Sequence, residues 1–356
     1  MKTILIGSTE GFSGKSAITL GLATILKETG YKVGFMKPLG NKLKWEADRL
    51  IDEDTQNIKK ILGLSESVDD ITPIHLTDDF LHKVLKGEVS GLEQSIRSAF
   101  DKISRDKDIV LIEGNAAFSD GAIYGMSDAN VAHLLNASIL LVAKYRSMKS
   151  IDNIITDYKI ISEPERMMGV VLNDVPEDEL TDIEDLVKPY LINQGVDVLG
   201  VIPKDFTLRS IAVGQIAEML PGEILTAKEK CEELVEHILV GAMETDSALG
   251  FFRKSHNYAV VTGGDRADIQ LAAMEANTKC LILTGNLYPS AAVLGTAQIK
   301  EVPIILVSAD TMTTIDHLET LMGRSSMSNP EKIKKIVELL KSSLDLDAII
   351  RHIDKQ

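Results

Sequence analysis

The first forty residues, MKTILIGSTEGFSGKSAITLGLATILKETGYKVGFMKPLG (Met1–Gly40), decide the fold. The apolar run 3–6 is short enough for a buried strand, and apolar residues at helical spacing follow Ser16 until Gly30 ends the pattern. Between the predicted strand and helix lies the loop GSTEGFSGKS, residues 7–16. A strand, a glycine-bearing loop, a lysine, a hydroxyl and a helix thus occur in the order of a phosphate-binding loop.

In such a loop the backbone N–H groups and the helix N-terminus face the phosphates, the lysine reaches the outer phosphates, and the hydroxyl binds Mg²⁺. The strict pattern has glycine five residues before Gly14, where this chain has Thr9. An ordinary strand-to-helix turn with a solvent-facing lysine is therefore the alternative. The residues that we expect to bind the nucleotide are Gly7, Thr9, Glu10, Gly11, Ser13, Gly14, Lys15 and Ser16.

Composition limits the classes of function. The chain has 356 residues and a net charge of −15, from 38 basic and 53 acidic residues. The length favours two domains, and the negative charge argues against nucleic acid or an anionic membrane as a partner. The apolar run at the N-terminus is too short for a signal peptide, so we expect a cytoplasmic protein. Cys231 and Cys280 lie far apart and are expected to be packed side chains rather than metal ligands.

The first half predicts a mostly parallel α/β sheet. Strands are expected at 32–36, 108–114, 138–143, 167–172 and 198–202, with helices between them. We predict a helix over 45–62, with Trp45 as a packing anchor and Asp52, Glu53 and Asp54 on a solvated face. Residues 64–107 are harder to interpret, apart from a helix at about 91–105.

Charged side chains come at the ends of two predicted strands. Lys37 follows the second strand, and it is expected to face the same crevice as Lys15 because ligands bind beyond the carboxyl ends of parallel strands. Glu113 ends the apolar run 109–112, where a carboxylate is costly to bury without a cation or a donor. A solvated lysine at a strand end is the alternative for Lys37.

The second half predicts a smaller α/β unit after a connector. Helices are expected at 208–220 and 228–243, and strands at 257–262, 280–283 and 303–307 end in polar or glycine turns. These turns either bind an anion through clustered N–H groups or are plain turns, with Gly263 and Gly264 supplying positive φ. The candidate ligand residues are Gly263, Gly264, Asp265, Arg266, Thr284, Gly285, Asp310 and Thr311.

The first half resembles the dethiobiotin synthetase and cobyrinic acid a,c-diamide synthase group of phosphate-loop proteins. That group has extra spacing before its Gly-Lys-Thr/Ser, and also a Lys-Pro and a strand ending in Glu-Gly, matched here by residues 37–38 and 113–114. The resemblance implies ATP and Mg²⁺ as cofactors, with Lys15 and Lys37 as catalytic residues. It also implies the metal ligands Ser16, Asp54 (with Asp52 as a rival) and Glu113, and Asn173 at the adenine.

The second half resembles the DRTGG domain, through TGGDRADIQLAA at 262–273. The two halves occur in this order in the N-terminal part of long bacterial phosphotransacetylases. The expected organisation is a nucleotide-binding domain at 1–205, a connector at 206–250 and a DRTGG-like domain at 251–356. The resemblance also implies a small-molecule ligand and a homo-oligomer, with a dimer expected.

Departures from these families limit the expected activity. The stretch Leu39-Gly40-Asn41-Lys42 replaces a substrate-binding run of small residues, which argues against diaminopelargonate. Neither cysteine lies in a glycine-rich elbow, so glutamine amidotransfer is not expected, and an acetyl-transferring domain would lie beyond Gln356. Two hypotheses remain: ATP-dependent phosphorylation of a small carboxylate or carbamate, and a non-catalytic module that senses a nucleotide and a metabolite.

Overall fold

The chain divides into two compact units. A computed structural model describes residues 1–161, 166–322, 327 and 329–355. Contacts between Cα atoms separate Met1–Lys204 with Pro330–Gln356 from Asp205–Asn329. We call these the first and the second unit.

The first unit begins with alternating strands and helices. Its elements are, in chain order, β1 (Lys2–Ser8), α1 (Lys15–Glu28), β2 (Val33–Met36), β3 (Leu39–Gly40), β4 (Leu43–Glu46), β5 (Arg49–Asp52), α2 (Glu53–Leu62), α3 (Val68–Ile71), β6 (Ile74–His75), α4 (Asp78–Leu85), α5 (Leu92–Ile103), β7 (Ile109–Glu113), α6 (Asp128–Leu134), β8 (Ser138–Lys144), α7 (Ser150–Ile160), β9 (Met167–Val175), α8 (Leu180–Asp182), α9 (Lys188–Asn193) and β10 (Val198–Pro203).

The second unit follows, and the chain then returns to the first. The second unit contains α10 (Phe206–Arg209), β11 (Ile211–Ala212), α11 (Val213–Met219), β12 (Glu223–Ile224), β13 (Leu234–Val235), β14 (His237–Val240), α12 (Thr245–Phe252), β15 (Tyr258–Gly263), α13 (Ala267–Glu275), β16 (Cys280–Thr284), α14 (Ala291–Ile299), β17 (Ile304–Leu306) and α15 (Thr311–Met322). The returning helices are α16 (Pro330–Ser343) and α17 (Leu346–Lys355).

The described part of the first unit forms a six-stranded sheet in the order β10-β9-β8-β1-β7-β2. All of its pairings are parallel. The chain moves from β1 to β2, returns to β7 beside β1, and then crosses to β8 on the other side of β1. The strand order therefore reverses at β1, and ligands of open α/β sheets bind at such a point, beyond the carboxyl ends of the strands. The predicted parallel α/β fold is confirmed.

The predicted helix over 45–62 is wrong in its first half. Residues 43–52 form an antiparallel hairpin whose turn contains Ala47 and Asp48, both with positive φ. Helix α2 begins at Glu53, because the side chain of Asp52 accepts the backbone N–H of Thr55 and caps it. Trp45 is 75% exposed, so it is not a packing anchor.

In its described residues the second unit forms a five-stranded sheet in the order β12-β17-β16-β15-β14. β12 is antiparallel to β17, and the other pairings are parallel. Alternate residues of β15 enter two different cores: Ala259 and Val261 pack with α11, whereas Tyr258 and Val260 pack with α12 and α13. Helices thus cover both faces of this sheet, as expected of a parallel sheet.

The predicted helix over 228–243 is wrong. A 3₁₀ turn at Lys228–Lys230 is followed by β13 and β14. β14 pairs with β15, His237 lying opposite Tyr258, and β13 pairs with β11. The pairing of β11 with β13 also interrupts the helix predicted over 208–220, because β11 separates α10 from α11. Strand pairing with distant residues outweighed the local helical pattern, as tertiary context commonly does.

The division between the units also differs from the expected one. Residues 206–250, expected as a connector, supply β12 and β14 to the second sheet. Helix α16 packs on α1, where a Cβ at Gly21 would lie 2.5 Å from Cδ1 of Leu340. None of the helices in the described ranges is long and apolar enough to cross a bilayer.

Candidate functional site

The loop between β1 and α1 needs a glycine at its end. Gly14 has a φ of 88° and directly precedes α1. A Cβ at this position would lie 2.2 Å from Nδ2 of Asn173, which donates a hydrogen bond of 2.8 Å to the carbonyl of Ser13. The end of β9 thereby holds the loop, and the expected contact of Asn173 with the adenine stays a prediction.

Ser16 and Glu113 meet at the ends of neighbouring elements. Ser16 Oγ donates to Oε1 of Glu113 at 2.9 Å. Glu113 is only 3% exposed, and within the described residues its Oε2 has no hydrogen-bond partner. Burial raises the pKa of Glu113, and the positive charges of Lys37 and Lys15 oppose this only in part. A buried carboxylate oxygen without a donor suits a bound cation.

Lys15 is buried next to these groups. It is 8% exposed, and its ammonium donates to the carbonyl oxygen of Asn115. Burial lowers the pKa of Lys15 against the attraction of Glu113 and Asp128. The carbonyl uses one of the three N–H donors of the ammonium, so two donors are left for phosphate oxygens.

Lys37 lies at the end of β2 and is held by two carboxylates. Its Nζ lies 2.9 Å from Oδ1 of Asp52 and 3.2 Å from Oδ2 of Asp54. Burial by itself would lower the pKa of Lys37, but the attraction of Glu113, Asp54 and Asp52 outweighs it and raises the pKa. Lys37 therefore remains protonated and is not a merely solvated lysine.

Asp52 and Asp54, the two alternative metal ligands, have different surroundings in the structure. Asp52 is buried and accepts backbone N–H groups of Asn41 and Lys42 at 3.1 Å and of Thr55 at 3.0 Å, in addition to Lys37. Its expected place on a solvated face is therefore wrong. Among the described residues Asp54 pairs with the side chains of Lys37 and Lys42, at 3.2 and 3.1 Å, which hold its pKa low although burial acts to raise it. Asp54 can exchange its partners without unfolding a backbone segment.

Other predicted loop residues have partners within the protein. The N–H of Thr9 donates to the carbonyl of Val142 at 3.1 Å, and Glu10 accepts from Nε of Arg146 at 2.9 Å. Ser13 is buried, and its Oγ has no hydrogen-bond partner in the described ranges. The Ser13 hydroxyl is thus free to bind a ligand, whereas Arg146, which follows shortly after β8, was missed by the sequence interpretation.

Asp128 and Asn115 were also missed. Asp128 is 1% exposed, and its Oδ1 accepts the N–H of Asn115 at 2.7 Å. Burial raises the pKa of Asp128 to about 7. The sequence interpretation named no candidate site residue in the glycine-bearing loop at residues 115–127 and assigned no role to Asp128. The available signal was the pair Ser127-Asp128 at the start of a helix, directly after this glycine-bearing loop.

The candidates in the second unit are only partly brought together. Oγ1 of Thr284 lies 2.8 Å from Oγ1 of Thr311, and Thr284 is in register with Gly263. Most of the other candidates are engaged within the unit: the N–H of Gly285 donates to Ala309, Arg266 pairs with Asp268, and Asp310 accepts from Thr313.

In the TGG sequence, steric contacts rather than positive φ account for glycine. Gly263 and Gly264 do not adopt positive φ, so the alternative of left-handed turn residues is wrong. A Cβ at Gly264 would lie 1.7 Å from the carbonyl oxygen of Leu287, and one at Gly263 would lie 2.5 Å from Oδ1 of Asp265. Close approach of the Leu287 backbone therefore explains Gly264 without a ligand, whereas the atom near Gly263 is the movable end of the Asp265 side chain.

A preformed cage of protein ligands for a metal is not seen in the described ranges, where no group of three or more His, Cys, Asp or Glu side chains could hold an ion. Mg²⁺ commonly uses only one or two carboxylates and completes its coordination with phosphate oxygens and water. Ser16 and Glu113 fit a magnesium site with so few protein ligands, and Asp54 lies nearby, next to Lys37.

Comparison with known proteins supports both halves of the expected organisation. A family model described as an AAA domain matches residues 2–211, and a DRTGG domain model matches residues 215–321. Phosphate acetyltransferase of Synechocystis sp. is 23% identical over 368 residues, which cover 99% of this chain and 52% of that protein. The chain thus spans about half the length of this relative.

A second relative and a solved structure are each similar to 57% of this chain. The ATP-dependent dethiobiotin synthetase of Aquifex aeolicus is 26% identical over 213 residues, 57% of this chain and 92% of that protein. The structure of cobyrinic acid a,c-diamide synthase from Mycobacterium smegmatis is 14% identical with a TM-score of 0.37, covering 57% of this chain and 86% of that one. Both resemblances inferred from the sequence are confirmed, and the chain belongs to the AAA domain family and carries a DRTGG domain.

Proposed function

We propose that the first unit binds MgATP at the carboxyl ends of β1, β2 and β7. The observation that carries this proposal is the buried Oε2 of Glu113, which has no hydrogen-bond partner among the described residues although the carboxylate lies beside the hydroxyl of Ser16. Lys15 is available to the outer phosphates, and Ser16, Glu113 and Asp54 would hold the Mg²⁺. Asn173 and Ser13 lie at the same loop and would contact the nucleotide.

We further propose that the nucleotide activates a small carboxylate or carbamate. An oxygen of the substrate attacks the γ-phosphorus, the bond to the β,γ-bridging oxygen breaks, and ADP leaves as an acyl phosphate forms. Such a transfer needs mainly positioning and neutralisation of charge, which Lys15 and Lys37 can provide without a protein nucleophile. The similarity to an ATP-dependent dethiobiotin synthetase over 57% of the chain supports this reaction class.

A regulatory module is the second candidate. Lys37 is already neutralised by Asp52 and Asp54, which reduces its availability to a substrate. The chain also matches about half the length of phosphate acetyltransferases. In this case MgATP binding to the first unit and metabolite binding to the DRTGG domain would change each other's affinity by the same factor.

MgATP binding is tested by the thermal stability of the full chain. MgATP at millimolar concentration is expected to raise the Tm of the wild type and of Lys60→Ala, a matched control because Lys60 is exposed on α2. The shift should be much smaller in Lys15→Ala. The absence of a shift in the wild type would refute MgATP binding.

The two candidate functions differ in whether the protein turns over ATP. A screen of carboxylate metabolites with MgATP should find one that stimulates ADP release, and Lys37→Ala should abolish that stimulation if the chain is an enzyme. MgATP binding without turnover, together with MgATP-dependent binding of a metabolite to the full chain, would instead support the regulatory module. Light scattering of the same samples tests the expected homo-oligomer.

A further inference from the structure

Asp128 occupies the space between the ends of β1 and β7. A Cβ at Gly114 would lie 2.2 Å from its Oδ2, and one at Gly7 would lie 3.0 Å from the same atom. Glycine at these two positions therefore makes room for a carboxyl group that is almost completely buried. This space adjoins the loop that carries Lys15.

The carboxyl group is connected to Lys15 through one residue. Oδ1 of Asp128 accepts the backbone N–H of Asn115 at 2.7 Å, and the carbonyl oxygen of Asn115 accepts a hydrogen bond from the ammonium of Lys15. The side chain of Asn115 donates to the carbonyls of Asp120 at 2.8 Å and Met126 at 3.1 Å. Asn115 is thus held at its N–H and at its side chain, and it presents its carbonyl to Lys15.

Capping of a helix does not explain this burial. The N-cap of α6 is Ser127, whose side chain accepts from the N–H of Asn130. Oδ2 of Asp128 has no hydrogen-bond partner in the described ranges, although a buried polar atom without a partner costs free energy. A carboxyl group kept at this cost has a role beyond starting a helix.

We propose that Asp128 is a positioning residue that fixes Asn115, so that the Asn115 carbonyl holds the Lys15 ammonium in place for the phosphates. The proposal deepens the proposed function and rests on it where it concerns nucleotide binding. A lysine side chain loses considerable rotamer entropy when it is ordered. Ordering it before the ligand arrives removes that cost from binding, which is the general advantage of preorganisation.

The electrostatics support the same arrangement. The charged groups that act on Lys15 are Glu113, Asp128 and Asp120, which attract it, and Lys37, which repels it. Asp128 attracts the ammonium when its carboxyl group is ionised, and this effect is weakly screened because the carboxyl group is almost completely buried. It therefore helps to retain the ammonium in a place where burial disfavours the charge.

The first test needs no nucleotide. In the nucleotide-free full chain, the acetylation rate of Lys15 is measured by mass spectrometry relative to exposed Lys60. Asp128→Ala is expected to increase the rate severalfold, and Asp128→Asn less so because its amide oxygen can still accept from Asn115. Asn130→Ala is the matched control, since exposed, uncharged Asn130 on the same helix donates to a backbone carbonyl of the same loop, that of Gly125, at 2.8 Å. If Asp128→Ala does not fold, Asp128→Ser, whose hydroxyl is too short to reach Asn115, replaces it.

The second test is a double-mutant cycle on MgATP affinity. Asp128→Ala should weaken binding about tenfold, equivalent to about 1.4 kcal/mol, whereas in a Lys15→Ala background it should have no further effect. Equal losses in both backgrounds, or an unchanged acetylation rate of Lys15 in a folded variant, would overturn the proposal. If the wild type does not bind MgATP, the proposed function fails, and the acetylation rates still decide the role of Asp128.

Discussion

The hydroxyl oxygen of Ser16 lies 2.9 Å from Oε1 of Glu113 and joins the first turn of α1 to the last residue of β7. β1 pairs with β7 in parallel, with Ile6 opposite Glu113, so the phosphate-binding loop and this carboxylate leave the sheet at the same level. The other oxygen of Glu113 remains buried without a donor in the described ranges.

Glu113→Gln is expected to uncouple ATP binding from Mg²⁺. MgATP affinity should fall by about tenfold or more, or about 1.4 kcal/mol, while affinity for ATP in the presence of a chelator should change little. The Tm should stay equal or rise, because a buried amide costs less than a buried carboxylate. Titration calorimetry with and without Mg²⁺ measures the effect, and an unchanged dependence on Mg²⁺ would remove Glu113 from the metal site.

Substitutions at Asp52 and Asp54 should have different consequences. Asp52→Ala is expected to lower the free energy of unfolding by about 3 kcal/mol, because α2 loses its cap and buried Lys37 loses a partner. Asp54→Ala should cost less stability and should weaken MgATP binding more. Urea unfolding and calorimetry on both variants provide the comparison. Equal losses of stability and of affinity in the two variants would contradict the division of roles.

Gly14→Ala should impair both stability and nucleotide binding. Alanine is strained at a φ of 88°, at a cost of about 1–2 kcal/mol, and its Cβ would displace Asn173. We expect the Tm to fall by several degrees and the MgATP-induced shift in Tm to shrink. Gly11→Ala in the same loop is the control for stability, since Gly11 is not among the positive-φ glycines and its added Cβ would meet no described atom within 4 Å. A Gly14→Ala protein as stable as the Gly11→Ala protein would count against this account.

Asp157 on α7 should make stability depend on pH. Burial raises its pKa to about 7, whereas the unfolded chain releases this proton near pH 4. Between these values the folded protein binds more protons, so its stability falls as pH rises. Asp157→Asn should therefore be more stable than the wild type at about pH 8 and nearly equal to it at about pH 4.

The Tm measured across this pH range gives the result for Asp157. Asp152→Asn is the control, because Asp152 is exposed on the same helix. It should follow the wild-type pH profile. An Asp157→Asn profile parallel to that of the wild type would show that the carboxyl group does not carry the proton.

Much of the first sheet was predictable from local patterns. The apolar runs of β1, β7, β8, β9 and β10 are nearly continuous, as expected for strands buried on both faces, and glycine or polar residues follow them. The hairpin 43–52 was not predictable in this way, because its charged residues also fit a helical face. Likewise, β14 became a strand because β15 provides a partner for its backbone, and no local signal encodes that partner.

The sequence by itself determined the loop from Gly7 to Ser16, the helix that follows it, and the positions of Lys37 and Glu113 at strand ends. These features depend on residue types and on spacing along the chain. Only the tertiary structure decided that Asp52 is a buried cap, that Asp54 has exchangeable partners, and that Asp128 reaches Lys15 through Asn115. Those roles depend on distances between atoms far apart in sequence, which are set when the parallel strands align and bring their carboxyl ends to one edge.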